Sequence, residues 1–144
     1  MVKQVSVFVE NKPGRLSGVA EALYDAGINI CALSVADTTD FGLIRLIVND
    51  PDTAVAVLKE RGFPVKTTLV CACPLEHKPG GLFALTKVLD ELGASFEYLY
   101  AFTSAGAKYG AVVVFCLTDK ELHEKLAGLG LVFLTDADIA SDSF

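Results

Sequence analysis

A chain of 144 residues, 52% of them hydrophobic, holds either one average domain or two small ones. Its formal net charge is −6 and its 12 lysines and arginines are scattered rather than striped along one helix, which argues against a nucleic-acid or anionic-membrane partner. The N-terminus lacks the charged region, apolar run and cleavage site of a leader peptide, and no apolar run reaches about 18 residues, so a soluble cytoplasmic protein is expected.

Val5, Val7 and Val9 alternate with Ser6, Phe8 and Glu10, the period of two that marks a strand. Glu10-Asn11-Lys12-Pro13-Gly14-Arg15-Leu16 then turns the chain into a helix. Proline fixes one φ there, and glycine allows the backbone to turn sharply and approach a ligand closely. Leu16, Val19, Ala20 and Leu23 follow at i, i+3, i+4 and i+7, which predicts a helix with one buried stripe ending at Gly27. A strand is expected from Asn29-Ile30 to about Ala36, a polar turn at Asp37-Thr38-Thr39-Asp40, and a hairpin partner from Gly42 to Val48. Asp50 is placed to cap a helix whose first residue is Pro51 and which Gly62 closes. Val65 to Thr68 completes a β-α-β-β-α-β series.

No linker follows, because Leu69 to Leu75 already reads as the next first strand. Glu76-His77-Lys78-Pro79-Gly80-Gly81-Leu82 repeats the turn 66 residues later, and the match continues through Leu23/Leu89, Gly27/Gly93 and Leu33/Leu99. Leu82, Leu85, Val88, Leu89 and Leu92 repeat the helix, while Ser95–Phe102 and Tyr109–Leu117 repeat the hairpin with a longer loop. Thr118-Asp119-Lys120-Glu121 has the spacing of a capping box for a helix ending near Gly128. Leu131–Leu134 is expected as the last strand and Asp136–Phe144 as a loosely held acidic tail. The sequence therefore predicts an α+β chain of two ferredoxin-like modules, 1–68 and 69–144, each an antiparallel sheet with its helices on one face.

Ala111 to Leu117 is apolar at every position, which implies burial on both sheet faces. The series leaves no spare element to cover the second face, so a homodimer through the sheet faces is expected. Cys31, Cys71, Cys73 and Cys116 read as free thiols, since Cys71 and Cys73 sit two apart on a strand and cannot readily bridge. With only His77 and His123 to assist them, no zinc-like spacing exists, and no metal or other cofactor is expected.

The helix start behind each turn presents unpaired N–H groups and a positive dipole end, which suit a small anion. In its order of elements and in these turns the chain resembles a tandem pair of ACT domains, regulatory modules that bind amino acids. The first module, with Asn11, Pro13, Gly14 and Leu16 followed by Gly27-Ile28-Asn29-Ile30, is similar to the serine-binding module of phosphoglycerate dehydrogenase. The resemblance implies that Asn11 and Asn29 contact an effector held between two modules, with Pro13, Gly14, Leu16 and Ile30 around it. The histidine that family carries two positions before the loop asparagine is replaced by Val9. In the second module Pro79, Gly80 and Leu82 are retained, whereas His77 stands for Asn11 and Ser95 for Asn29, so the two sites are expected to be unequal. The chemistry agrees: an amino acid needs donors for its carboxylate and acceptors for its ammonium, and an asparagine amide supplies both.

The sequence thus favours a free-standing, non-enzymatic amino-acid sensor. The alternative is a regulatory or structural subunit with vestigial pockets that docks on an enzyme of amino-acid metabolism. An enzyme reading lacks support, since neither His77 nor His123 has an evident catalytic partner in the sequence.

Overall fold

The computed structural model describes residues 1–37, 41–103, 110–119 and 121–141. Thr38 to Asp40 of the expected polar turn, Tyr109, Lys120 and the last three residues lie outside them. The chain divides into two units, Lys3–Thr68 with Ile139–Ser141, and Leu69–Asp138 with Met1–Val2. The division falls inside one strand, so Val65–Thr68 and Leu69–Leu75, read separately in the sequence, are continuous.

The first module runs β1 (Val2–Glu10), α1 (Arg15–Asp25), β2 (Ile30–Asp37), β3 (Phe41–Val48), α2 (Pro51–Glu60) and the start of β4 (Val65–Leu75). β3 lies antiparallel between β1 and β2, with Val5 opposite Leu46 and Val7 opposite Ile44. The period of two then places Val5, Val7, Val9, Ile44, Leu46 and Val48 on one face. That face packs on Val19, Ala22 and Leu23 of α1 and on Ala54 and Leu58 of α2. Phe8 N–H donates to the Pro64 carbonyl at 3.0 Å, which brings the entry to β4 alongside β1. Asp50 caps α2 as its position suggests, accepting from Thr53 N–H at 3.1 Å and Thr53 Oγ1 at 2.7 Å, and these bonds hold its carboxyl below the usual range.

Within β2 the register slips around Cys31, and within β5 (Phe96–Phe102) it slips around Glu97, again 66 residues on. One extra residue at each place bulges the strand.

The second module continues with α3 (Gly81–Glu91), β5, β6 (Ala111–Leu117), α4 (Leu122–Gly128) and α5 (Asp136–Ala140). β6 lies antiparallel between β4 and β5, and Cys71, Cys73, Val113, Phe115 and Leu117 face Leu85, Leu89, Leu122 and Leu126.

The helix stripes are narrower than the spacing implied. Leu16 is 49% exposed and Ala20 is also exposed, and the equivalent Leu82 is 47% exposed, because the sheet covers only the Val19/Ala22/Leu23 and Leu85/Leu89 side of each helix. Leu131–Leu134 forms no regular strand. Leu134 N–H donates to the Ala72 carbonyl at 2.8 Å, but the alternation of Leu131 and Phe133 reflects their packing on the core rather than a ladder. Among the described residues Thr118 and Glu121 form no capping box: the Thr118 hydroxyl donates to the Ser95 carbonyl at 3.0 Å, and Asp119 accepts from Glu121 N–H at 2.9 Å. The reciprocal box lies later, where Thr135 and Asp138 satisfy each other's backbone N–H at 2.7 and 3.3 Å. It starts α5 in what reads as a loose tail, and Ile139 of that helix is buried.

All seven residues of β6 are buried within a single chain. The expected two-sided burial is therefore present.

His123 on α4 stacks on Phe133 at a centroid distance of 5.0 Å, and Phe133 meets Phe115 edge-on at 6.5 Å. Its Nε2 is buried and has no hydrogen-bond partner among the described residues. Burial first, and then the Met1 α-ammonium, hold His123 below the ordinary histidine value of 6.5, against an opposing effect of Glu124. A base with a lowered folded-state pKa stabilises the fold fully above its unfolded value and loses that contribution as pH falls below about 6.5. His123→Phe keeps the stack and removes the proton site, so its urea midpoint should fall less than that of the native chain between pH 7.5 and 5.5. Parallel midpoints would show that His123 does not titrate with folding.

None of the four cysteines is in a disulfide: Cys71, Cys73 and Cys116 are buried and Cys31 is partly exposed. Burial pushes the thiols of Cys71 and Cys73 up to about 11, so both stay neutral at physiological pH.

Candidate effector turns and their surroundings

Gly14 sits at the N-cap of α1 with φ 85°, and Gly80 occupies the same place on α3 with φ 89°. A side chain is costly in this left-handed conformation, which is why the two loops share a glycine. The turns also match bond for bond. Lys12 N–H donates to the Glu10 carbonyl at 2.8 Å and Lys78 N–H to the Glu76 carbonyl at 2.9 Å; Gly18 N–H reaches Gly14 and Ala84 N–H reaches Gly80 at 2.9 and 3.0 Å. Among the described residues neither helix start has a side-chain cap, and the first N–H of each helix turns back on its own loop, Arg15 N–H to the Lys12 carbonyl at 3.4 Å and Gly81 N–H to the Lys78 carbonyl at 3.1 Å.

The first turn carries a charged cluster. Glu10 pairs with Lys12 at 2.7 Å and with Arg15 at 3.6 Å, and the hydrogen bond from Lys12, then the Lys12 and Arg15 charges, hold its carboxyl below the ordinary range. In the second turn Glu76 pairs with Lys78, and Gly81 replaces Arg15. The replacement has a steric cause. A Cβ at Gly81 would lie 2.3 Å from the Glu76 carbonyl oxygen, a position that no side chain tolerates.

Asn11, Pro13, Gly14 and Leu16 are all exposed on the first turn, as are His77, Pro79, Gly80 and Leu82 on the second. The Asn11 amide donates to both carboxylate oxygens of Asp37 at 3.2 Å, which ties the turn to the far end of β2. Asp37, read in the sequence as turn material, therefore joins the candidate site. Its charge suits a ligand ammonium. Sixty-six residues on, Thr103 takes its place, so the second module offers no matching carboxylate.

Asn29 lies at the opposite end of β2. Its N–H donates to Asn49 Oδ1 at 2.9 Å and its carbonyl accepts from Asn49 N–H at 3.2 Å. Ser95 is held in the same manner, its carbonyl accepting from Thr118 N–H at 2.9 Å. Ile30 packs against the first core. An eight-residue strand spans about 23 Å, so Asn11 and Asn29 of one module cannot touch the same amino acid. His77 instead meets the entry to β6, where a Cβ on Gly110 would lie 3.1 Å from that of His77. Among the described residues no three His, Cys, Asp or Glu side chains gather as a metal site, and no helix is long and apolar enough to cross a membrane.

A family model described as an ACT domain pair matches residues 1–141. The crystal structure of protein BT0572 from Bacteroides thetaiotaomicron is similar, with 36% identity over 96% of this chain and 95% of that one and a TM-score of 0.87. The ligand-free regulatory subunit of aspartate kinase from Thermus thermophilus is similar in fold, with 15% identity, coverage of 89% and 90%, and a TM-score of 0.61. The aspartokinase alpha and beta subunits give 20%, 88% and 90%, and 0.55. No curated protein matches the chain.

Proposed function

Because the chain belongs to the ACT domain pair family, we propose that it is a non-catalytic regulatory protein whose effector is a free amino acid. The observation that carries this reading is the uncapped helix start behind Gly14, set beside the Asn11–Asp37 pair. First-turn N–H groups suit the carboxylate of an amino acid, and Asp37 with the Asn11 carbonyl suits its ammonium. Asn29 serves the same ligand only from another module, since β2 holds it away from its own Asn11. The second module, with His77, Ser95 and Thr103, is the weaker half of the pair.

A thermal-shift screen of the common amino acids should find at least one that stabilises the chain. Calorimetry should then show Asn11→Ala and Asn29→Ala each weakening that ligand by about tenfold or more, the effect of losing a hydrogen bond to a charged group. His77→Ala should weaken it less. Unchanged affinity in both asparagine variants would remove these residues from the site. Absence of any amino-acid response, together with co-purification of an enzyme, would favour the subunit reading. That reading is the second choice, supported by the likeness to an aspartate kinase regulatory subunit in fold alone. A cytoplasmic location is part of the proposal. A homodimer is part of it too, since an Asn29 can reach the ligand of another Asn11 only from a second copy of the chain, the second module having Ser95 there.

A further inference from the structure

The end of β1 opens onto a cavity of about 260 Å³ that involves neither Asn11 nor Asn29. Phe8, Val9 and Glu10 line one side and Gly62, Phe63 and Pro64 the other. The second module builds a cavity of about 560 Å³ from Pro74, Leu75 and Glu76 and from Gly130, Leu131 and Val132. These are the same positions, 66 residues on for the strand and 68 for the loop behind the second helix. A concavity formed twice from equivalent positions belongs to the module and is not an accident of one surface. Its linings have diverged.

In the first module Phe8 and Phe41, 42% and 57% exposed, line the cavity together with Phe63. At the rim Arg15 and Lys12 both pair with the carboxylate of Glu10. The second cavity has Pro74, Leu131 and Val132 at the three wall positions whose counterparts are Phe8, Phe63 and Pro64, and at its rim Lys78 matches Glu76 one for one. Gly81 cannot regain the arginine, because the Glu76 carbonyl fills the space of its Cβ. Aromatic walls favour a flat ring by offset or edge contact, and an arginine fork favours a carboxylate. We propose that the first cavity is a separate binding site for a small arylalkanoate, a monocarboxylate with an aromatic body, and that the second cavity is not. Glu10, the acidic side chain of this lining, is already paired with Lys12 and Arg15, which selects the monoanion over the zwitterion, and the site stands or falls independently of the amino-acid effector.

The test is titration calorimetry of the full chain with 3-phenylpropanoate, 3-phenylpropanamide and L-phenylalanine. The acid should bind with one site per chain, the amide at least about tenfold more weakly because it lacks the charge Arg15 meets, and the zwitterion more weakly than the acid. Arg15→Gln and Phe41→Ala, both at exposed positions, should each weaken the acid at least tenfold while retaining the native unfolding midpoint. Equal binding of acid and amide, tighter binding of L-phenylalanine, two equal sites, or undiminished binding in both variants would overturn the assignment, as would no binding at all. The amino-acid effector is read in the separate thermal-shift screen with no arylalkanoate present, so either proposal can fail alone.

Discussion

Phe115→Ala is expected to lower the unfolding free energy by about 3–5 kcal/mol, the usual range for emptying a fully buried phenylalanine site. The ring is completely buried at the middle of β6, opposite Cys71 on β4 and Leu99 on β5. It also meets Phe133 edge-on, so truncation opens a cavity beneath the segment that carries the His123 stack. Phe83, by contrast, is 70% exposed on α3, and Phe83→Ala should stay within about 0.5 kcal/mol of the native chain. Urea denaturation of both variants measures the contrast. A loss below about 1 kcal/mol for Phe115→Ala would mean that the core can collapse around the missing ring.

The second large effect separates the two turns. Gly81→Ala forces a methyl group to 2.3 Å from the Glu76 carbonyl oxygen, and since that contact is backbone it is relieved only by moving the turn. A cost of about 1–3 kcal/mol is expected, typical of overpacking. Arg15→Ala, at the equivalent position of the first turn, removes an exposed side chain whose ion pair with Glu10 spans 3.6 Å, and should cost less than about 0.5 kcal/mol. Equal destabilisation by the two substitutions would show that the backbones of the turns do not differ at this point.

Much of this fold is legible in the sequence because alternation and duplication each testify to the same elements. Val5, Val7 and Val9 define β1 by period alone, and Pro13-Gly14 recurring as Pro79-Gly80 fixes where both modules turn. The misreadings share one cause: hydrophobic spacing records burial but not the partner that provides it. Leu16 and Leu82 lie on the helical period yet beyond the reach of their sheets, and Leu131 and Phe133 alternate like a strand while packing as single side chains. Thr135-Asp136-Ala137-Asp138 carries the spacing of a cap for α5, but a short helix among acidic residues has little apolar period to announce it. At the site, Asn11 is recognisable from its turn, whereas Asp37 is not. Its role depends on β2 ending beside the β1–α1 turn, a distance of 26 residues in sequence that no local pattern encodes.

The thiols offer a practical handle. A reagent that attacks thiolates meets Cys71 and Cys73 held neutral in the second core and Cys116 buried in β6, but it meets Cys31 at the bulge of β2, partly open to solvent. Native chain exposed briefly to a maleimide dye should therefore accept one label per molecule. That label would sit two residues from Asn29, where a change in its fluorescence could report effector binding without any cysteine having to be engineered in or out.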